Sequence, residues 1–305
     1  MSVATKPKRR PLGWIILISL VAGVALGLLV TSLLSHPAPS RIFYASRPAG
    51  TMLVAHMGGD NLYPGDTGYA YEQAKLLGAD VFDGDAHITK DGVIILMHDE
   101  AVDRTTNGHG QVEDLTLAEL KALDAGYGWS PDGKSYPFRG KGITVPTLEE
   151  LFQQYPDQKF LIEIKLSKLP IAVPMAKLIR KYNMQDKIVI ASFLDTLMQE
   201  FRRAAPEVAT SASKTEVVVF VLLQKVGLSG LVSPEYQSLQ VPFETSESMG
   251  IPIMTSEFVQ AAHAKGVAVE VWTLNEPNLM KTYIDWGIDG IDSDRPDVLK
   301  KALGR

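Results

Sequence analysis

The chain has 305 residues, of which 46% are apolar and 21% are charged, a composition typical of a globular protein rather than a disordered one. The absence of cysteine from the sequence excludes a disulfide framework, a zinc–thiolate site and a bacterial lipoprotein anchor. Acidic residues outnumber basic ones by 35 to 30, and no basic patch is interleaved with aromatic residues, so nucleic acid is not an expected partner.

The N-terminal segment predicts a membrane anchor. Residues 1–11 carry four basic side chains, and the run 12–34 that follows them is uncharged. As a helix this run spans roughly 33 Å, enough to cross a bilayer core once. The positive-inside rule places residues 1–11 in the cytoplasm and the rest of the chain outside it. A cleaved signal peptide, which would make the protein secreted, is the alternative, although its apolar stretch is usually shorter, about 7–15 residues.

After a linker at residues 35–49, short apolar runs alternate with helical stretches through residues 50–305. The runs predicted as strands are Met52–Ala55, Val81–Phe82, Val93–Met97, Phe160–Ile164, Lys187–Ala191, Val267–Trp272 and Gly290–Ile291. The runs predicted as helices are Tyr69–Leu77, Leu148–Gln154, Val173–Tyr182, Thr196–Ala204, Ser256–Lys265 and Pro277–Trp286. This alternation predicts an α/β domain with a parallel sheet covered by helices. The number of units favours a (β/α)₈ TIM barrel.

Two segments do not follow the alternation. Asp99–Pro146 is rich in Gly, Asp and Thr, with one short helix near Leu117–Leu123. It is predicted to be a small insertion after the second or third strand, at about residues 99–146. Residues 205–250 have only weak strand patterns, so the fifth and sixth units of the barrel are not assigned from the sequence.

Polar side chains follow several of the predicted strands. In a (β/α)₈ barrel the C-terminal ends of the strands meet at one mouth, where barrel enzymes place their chemistry. Residues two apart on a strand share a face, so Asp83 is expected to point the same way as Asp85, and Glu163 the same way as Lys165. The residues predicted to converge at the mouth are His56, Asp83, Asp85, His98, Glu163 and Lys165.

These residue types indicate metal-assisted chemistry at a phosphate. The carboxylates of Asp83, Asp85 and Glu163 form an all-oxygen ligand set that suits a hard divalent cation, Mg²⁺ or Ca²⁺. Imidazole titrates near neutral pH, so His56 and His98 suit general acid and general base, in either order. The lysine beside Glu163 adds a cation for the phosphate charge.

The order of short motifs resembles that of the glycerophosphodiester phosphodiesterase family, over roughly residues 50–303. The family's His-Arg-Gly, Glu-Asn-Thr and Glu-x-Asp motifs correspond to His56–Gly58, Gly65–Thr67 and Asp83–Asp85. Its Thr-Lys-Asp-Gly, His-Asp and Arg-x-Thr-x-Gly motifs correspond to Thr89–Gly92, His98–Asp99 and Arg104–Gly108. Its Glu-Ile-Lys, Trp-Thr-x-Asn and Gly-x-Asp-Gly…Asp-x-Pro motifs are intact at Glu163–Lys165, Trp272–Asn275 and Gly287–Pro296.

The resemblance implies a TIM barrel that uses a divalent cation to cleave glycerophosphodiesters to glycerol 3-phosphate and an alcohol. It implies that the acid/base pair is His56 and His98. The metal ligands that it implies are Asp83, Asp85 and Glu163. The phosphate contact that it implies is Lys165. Two further residues are predicted to contact the substrate or its phosphate: Arg104, from the insertion, and Trp272, as part of an apolar wall. Combined with the predicted anchor, the resemblance indicates a small phosphodiester or a lysophospholipid near the membrane as substrate.

Three positions depart from the family motifs. The arginine of His-Arg-Gly is Met57, the glutamate of Glu-Asn-Thr is Gly65, and the first metal ligand is shortened to Asp83. A lost charge-assisted contact to phosphate is worth about 1.5–3 kcal/mol, or roughly one to two orders of magnitude in rate if it acts in the transition state. Two alternatives therefore stay open. One is a degenerate barrel that binds a phosphodiester or polyol without efficient turnover, and the other is a related lipid phosphodiesterase with an altered substrate.

Overall fold

The computed structural model describes residues 12–166, 168–248 and 250–305, so the predicted cytoplasmic segment, residues 1–11, lies outside the described residues. The strands are β1 (Met52–Ala55), β2 (Val81–Ile88), β3 (Ile94–Leu96), β4 (Lys159–Ile164), β5 (Ile188–Ala191), β6 (Ala209–Thr210), β7 (Ser238–Pro242), β8 (Ala268–Trp272) and β9 (Gly290–Ser293). The helices are α1 (Leu12–Leu34), α2 (Ile42–Ala45), α3 (Gly68–Leu77), α4 (Leu117–Lys121), α5 (Leu148–Gln154), α6 (Ala172–Lys181), α7 (Asp195–Ala204), α8 (Lys214–Lys225), α9 (Ser256–His263), α10 (Pro277–Asp285) and α11 (Pro296–Ala302).

Eight of these strands form a parallel barrel. Hydrogen-bonded neighbours follow the order β6–β5–β4–β2–β1–β9–β8–β7, and a parallel bridge between Ser211 and Ser238 joins the two ends of this series. In that bridge the Ala212 N–H donates to the Ser238 carbonyl at 2.8 Å, and the Gln237 N–H donates to the Thr210 carbonyl at 2.8 Å. The predicted (β/α)₈ fold is confirmed.

The strand before His98 is not one of the eight barrel strands, which corrects the expectation from sequence. β3 pairs antiparallel with β2, because β2 runs on past the barrel and the chain folds back on it. The Thr89 N–H donates to the Val93 carbonyl at 2.9 Å, and the Thr89 hydroxyl donates to Asp91 Oδ1 at 2.6 Å. Gly92 completes the turn at a φ of 82°, a left-handed conformation that favours glycine.

The insertion at residues 99–146 packs on this hairpin around an apolar cluster of its own. The cluster joins buried side chains of the hairpin region to buried side chains of the insertion: Ile95, Met97, Val102, Val112, Leu120, Ala125, Ile143 and Val145. The insertion is therefore a folded part of the domain, and its first residues lie beside the mouth of the barrel.

The segment left unassigned from sequence contains β6, α8 and β7. β6 has only two residues, too few to show a period. α8 has the β-branched sequence KTEVVVFVLLQK, which opposes a helix by intrinsic preference. Ser213 and Glu216 form a capping box at its start, and Phe220 and Val221 are buried, so capping and burial decide the conformation.

Residues 35–49, expected to form a linker, close the N-terminal end of the barrel. α2 places Phe43 in an apolar cluster with Met52, Val54 and other inward side chains. The Tyr44 hydroxyl donates to Glu270 Oε1 at 3.0 Å. At the start of β4, Lys159 Nζ donates to the Phe43 carbonyl at 2.6 Å. This end of the barrel is thus sealed by side chains that precede β1 in the chain.

α1 leaves the domain from the same closed end. Ser35 Oγ donates to the Gly230 carbonyl at 2.8 Å, and Lys265 Nζ donates to the same carbonyl at 2.9 Å. The part of α1 from Trp14 to Leu34 is long and apolar enough to cross a membrane, and its most apolar window has 0% of its residues buried in the protein. Length and composition fit both a membrane anchor and a signal sequence.

Candidate active site

A cavity of about 580 Å³ opens at the C-terminal ends of the barrel strands. Of the eight site residues expected from sequence, all but Arg104 line it: His56, His98, Asp83, Asp85, Glu163, Lys165 and Trp272. Polar residues not expected from the sequence line it as well, including Gln240, Glu270 and Asp292. The structure thus brings the expected side chains together, while their chemical roles stay predictions.

Strands β2 and β4 hold three of the carboxylates, and the lysine directly follows β4. Asp85 and Glu163 are directly opposite each other in the parallel pair. Lys165 Nζ lies 2.9 Å from Asp85 Oδ1 and 2.8 Å from Glu163 Oε2. Asp83 shares the face of Asp85 and is buried. Burial lowers the pKa of Lys165, but the two carboxylates outweigh burial and raise it, so the lysine stays charged.

The backbone of β2 at the site is fixed by close packing over Gly84. A Cβ at this position would lie 2.2 Å from Tyr71 Oη and 2.9 Å from Asp66 Oδ1. Tyr71 Oη itself lies 2.8 Å from Asp66 Oδ1 and 3.0 Å from the Asp83 carbonyl. A buried hydroxyl from α3 therefore holds the strand between the two aspartates, and only glycine leaves room for it.

His56 follows β1 and is oriented by Asp294. Its Nδ1 lies 2.6 Å from Asp294 Oδ1, and because a carboxylate only accepts, Nδ1 carries the proton. Nε2 lies 4.0 Å from Asp83 Oδ2, and Asn275 Nδ2 donates to the other Asp294 oxygen at 2.9 Å. Burial lowers the pKa of His56, but Asp292, Asp294 and Asp83 together raise it well above its ordinary value. Without a bound cation, these carboxylates therefore favour the imidazolium form.

His98 lies at the rim of the cavity and is connected to Arg104 through Asp99. Its Nδ1 lies 2.8 Å from Asp99 Oδ1. Arg104 Nε donates to Asp99 Oδ2 at 2.6 Å, and Arg104 Nη2 donates to Asp99 Oδ1 at 2.9 Å. The hydrogen bonds from Arg104 lower the pKa of Asp99 to about 2, against partial burial and with help from His98. In this arrangement the guanidinium faces a carboxylate rather than the cavity.

Two buried acids on β8 and β9 were not expected from the sequence. Burial raises the pKa of Glu270 to about 7, against hydrogen bonds from Gln240 and Tyr44. Burial raises the pKa of Asp292 to about 8, with His56 opposing the shift. The available signal for Glu270 was an acidic residue between Val269 and Val271. Asp292 lies within the motif Gly287–Pro296, but the predicted end of the last strand at Ile291 left it outside that strand.

The donor atoms fit a hard divalent cation. One ligand atom each from His56, Asp83 and Asp292 lie within 4.8 Å of one another. Asp85 Oδ2 and Asp292 Oδ1 are buried and have no hydrogen-bond partner among the residues that the structure describes. Buried carboxylate oxygens are costly unless they bind a proton, a donor or a cation, and oxygen-rich sets suit Mg²⁺ or Ca²⁺. The residues present therefore match the cation expected from the sequence.

The position of the family arginine is filled by an apolar side chain. Met57 is 6% exposed, and a cavity of about 20 Å³ beside it is lined in part by Asp60, Gly65 and Arg104. A Cβ on Gly65 would lie 2.5 Å from Asp60 Oδ1 and 3.0 Å from Met57 Cβ. Asp60 thus occupies the space that a longer side chain at position 65 would need, and positions 57 and 65 are neighbours.

Trp272 contributes to an aromatic wall of the cavity. Its ring packs edge to face against Phe193, with centroids 5.9 Å apart, and both residues line the cavity. Phe193 is 49% exposed. An exposed aromatic surface at the mouth suits an apolar or methylated part of a ligand.

A parallel barrel with two histidines, a lysine and a group of carboxylates at its C-terminal mouth is the arrangement of a barrel hydrolase. Residues 56–298 match the Glycerophosphoryl diester phosphodiesterase family, and the chain belongs to this family. The family predicted from the motifs, and with it the phosphodiesterase class, is confirmed.

The relatives match over most of their length. Over 257 residues the chain is 32% identical to a glycerophosphodiester phosphodiesterase of Caldanaerobacter subterraneus subsp. tengcongensis, covering 82% of this chain and 96% of that protein. It is 24% identical to a human lysophospholipase D over 300 residues, covering 91% of this chain and 94% of that protein. The crystal structure of a glycerophosphodiester phosphodiesterase from Agrobacterium tumefaciens matches with a TM-score of 0.65 and 26% identity, over 82% of this chain and 99% of that chain.

Proposed function

We propose that this protein hydrolyses glycerophosphodiesters to glycerol 3-phosphate and an alcohol, with a divalent cation and from a position anchored to the cell membrane. The observation that supports the reaction most directly is the convergence of His56, His98, Lys165 and the carboxylates on one cavity. Family membership independently supports cleavage of a phosphodiester.

In this proposal the two histidines divide the proton transfers. Asp294 holds His56 through Nδ1, and in its protonated form His56 donates a proton from Nε2 to the leaving alcohol oxygen. His98 donates from Nδ1 to Asp99, which leaves Nε2 free to accept a proton from the attacking water molecule. One proton is given and one is taken, and exchange with solvent restores the pair.

Positive charge for the phosphate comes from Lys165 and the cation. Lys165 is the one residue among the expected phosphate contacts that both carries a charge and lines the cavity. When bound by the carboxylates, a divalent cation neutralises charge on phosphate oxygens. Met57 supplies no charge, so catalysis depends on Lys165 and the cation more than it would with an arginine at that position.

The anchor is proposed from α1. Its segment from Trp14 to Leu34 has a mean hydropathy of 2.5 in its most apolar window and packs against no core of the domain. The basic residues before it in the sequence favour a cytoplasmic N-terminus. The barrel then lies outside the cytoplasm.

A lipid phosphodiesterase with an altered substrate is the second candidate. Buried, neutral Met57 and the wall of Phe193 and Trp272 favour a ligand with less charge to hold and more apolar surface. One of the relatives described above is named a lysophospholipase D.

The full chain in detergent, supplied with Mg²⁺, Ca²⁺ or EDTA, tests the proposal. We expect metal-dependent release of glycerol 3-phosphate from at least one member of a glycerophosphodiester panel. His56→Ala should abolish release, while His109→Ala should retain it, because His109 lies in the insertion with its side chain 89% exposed. Alcohol release from lysophospholipids alone would support the second candidate. Tight binding of diesters without turnover would contradict the proposal and support a degenerate barrel.

Asp294 is expected to act as a positioning residue for His56. Asp294→Asn removes one of the acids that raise the pKa of His56, and we expect kcat to fall roughly tenfold or more. If His56 is the acid, activity falls as pH rises through its pKa, so this limb of the kcat profile should move to lower pH. A purely structural role for Asp294 would lower kcat without moving the profile.

A further inference from the structure

Asp292 is a buried acid on β9 that faces the expected metal ligands from the other side of β1. Strand β1 lies between β2 and β9, and Asp292 is in register with Val54, next to the His56 turn. One ligand atom of Asp292, one of Asp83 and one of His56 lie within 4.8 Å of one another. Strands β2 and β9 and the turn after β1 thus place candidate ligand atoms close together.

The bonding of Asp292 differs from that of its neighbours. Asp294, two residues later, bonds to His56 and Asn275, and Glu270 on the adjoining strand bonds to Tyr44 and Gln240. Asp292 is 7% exposed, and its Oδ1 has no hydrogen-bond partner among the described residues. A buried carboxylate oxygen without a partner is unfavourable, and Asp292, Asp83 and His56 all line the cavity.

The other expected ligands are already engaged by a side chain. Lys165 Nζ lies 2.9 Å from Asp85 Oδ1 and 2.8 Å from Glu163 Oε2, so these two carboxylates share one ammonium group. Asp83 forms no such contact with Lys165 among the described ion pairs, and its side chain is one methylene shorter than the glutamate of the family motif. An oxygen from Asp292 adds a donor beside the shortened ligand.

We propose that Asp292 is a ligand of the divalent cation in this chain and binds it together with Asp83. The inference rests on the metal dependence in the proposed function, but it concerns which residues hold the ion. Asp85 and Glu163 then complete the set from the β2 and β4 side, where Lys165 remains to meet the phosphate. His56 keeps its bond to Asp294 and lies beside the cation as a proton donor.

Direct cation binding tests the proposal. The full chain in detergent is titrated with Mn²⁺ while free ion is followed by electron paramagnetic resonance, and Mg²⁺ and Ca²⁺ are measured by competition. We expect Asp292→Asn and Asp83→Asn each to weaken binding by about tenfold or more. Glu270→Gln is the matched control, because it also removes a buried carboxylate from the barrel interior. It should change the affinity by no more than about threefold, since Glu270 has other partners.

The outcomes separate this inference from the proposed function. Wild-type affinity in Asp292→Asn, or an equal loss in Glu270→Gln, would overturn the inference even if the enzyme is active. Failure of the wild type to bind any divalent cation would overturn it as well. Loss of binding in Asp292→Asn without any diester turnover by the wild type would uphold the ligand and refute the activity. If Asp292→Asn does not fold, as judged by thermal unfolding in EDTA, Asp292→Ser is measured in its place.

Discussion

Met57 lies in a backbone conformation that fixes where its side chain goes. Its φ of 49° and ψ of 27° are in the left-handed region, inside the short turn His56–Gly58 that follows β1. Burial raises the pKa of nearby Asp60, with Asp294 adding to the shift while His56 and Arg104 oppose it. An arginine at position 57 would therefore lie beside a buried carboxylate, at the small cavity that Met57 and Asp60 line.

Met57→Arg is expected to raise kcat/KM for an anionic glycerophosphodiester by about tenfold or more. A charge-assisted contact to phosphate is worth about 1.5–3 kcal/mol, which corresponds to one to two orders of magnitude if it acts in the transition state. Steady-state kinetics on the same diester panel measures the change. Met57→Leu keeps an apolar side chain of similar size and is the control, and equal rates in the two variants would contradict the expectation.

Glu270 gives a prediction on pH and stability. Its folded pKa of about 7 lies above its ordinary value of 4.5, so the folded state binds the proton more tightly than the unfolded state. The stability associated with this proton is present below about pH 4.5 and is lost as pH rises through 7. Glu270→Gln removes this dependence. The free energy of unfolding of the variant minus that of the wild type should therefore be about 2–3 kcal/mol larger at pH 8 than at pH 5. Chemical unfolding at both pH values measures it, and the same difference at pH 5 and pH 8 would refute it.

At the scale of elements, β2 is the strand on which the site depends most. It carries Asp83 and Asp85 on one face, and Tyr71 from α3 contacts the Asp83 carbonyl over Gly84. The strand can keep this position only while no side chain intervenes at residue 84.

Gly84→Ala should therefore destabilise the fold and weaken cation binding together. Overpacking at a buried position of this kind is worth about 1–3 kcal/mol, and displacement of Tyr71 shifts the backbone between the two aspartates. Gly68→Ala is the matched control, since a Cβ there meets nothing within 4 Å. Chemical unfolding and cation titration of both variants check the prediction, and wild-type behaviour of Gly84→Ala would contradict it.

The elements with a clear period were predictable from sequence, and those shaped by tertiary contacts were not. Met52–Ala55 and Leu148–Gln154 have the predicted bounds, because their apolar residues recur regularly and Thr147 caps the helix. α8 was missed because its β-branched composition opposes the helix that capping and burial impose. The antiparallel direction of β3 depends on the turn at Thr89, which a pattern of apolar residues does not reveal.

The same limit applies to the site. Asp83, Asp85 and Glu163 were found because strand ends and motif order both mark them. Glu270 was missed because it appears in the sequence as one acid within an apolar strand, and Asp292 was missed because the predicted strand ended before it. Only the closed barrel shows that both line the cavity. Arg104 was expected at the phosphate, yet its contact with Asp99 depends on how the insertion folds.

At the scale of the whole molecule, the segment before β1 belongs to the barrel. Phe43 is 1% exposed, Tyr44 bonds to Glu270, and Arg47 pairs with Asp289 at 2.7 Å. These contacts close the end of the barrel from which α1 departs, so residues 35–49 are more than a spacer.

Two truncations separate the contribution of α1 to stability from that of residues 35–48. A chain that begins at Ser35 should remain folded without detergent, because it loses only α1 and the residues before it. A chain that begins at Ala49 should be less stable by about 3 kcal/mol or more, since it removes a buried aromatic side chain and its partners. Chemical unfolding compares the two chains, and equal stabilities would show that α2 does not stabilise the barrel.

The departure of α1 from the closed end has a consequence for how substrate arrives. The cavity opens at the opposite end of the strands. If α1 spans a bilayer, the mouth therefore faces the aqueous space, on the side of the barrel away from the membrane. The headgroup of a lipid still in the membrane would then be separated from His56 and Lys165 by the height of the barrel. Under the proposed anchoring, the position of the mouth therefore favours detached, water-soluble diesters, which reach it by free diffusion.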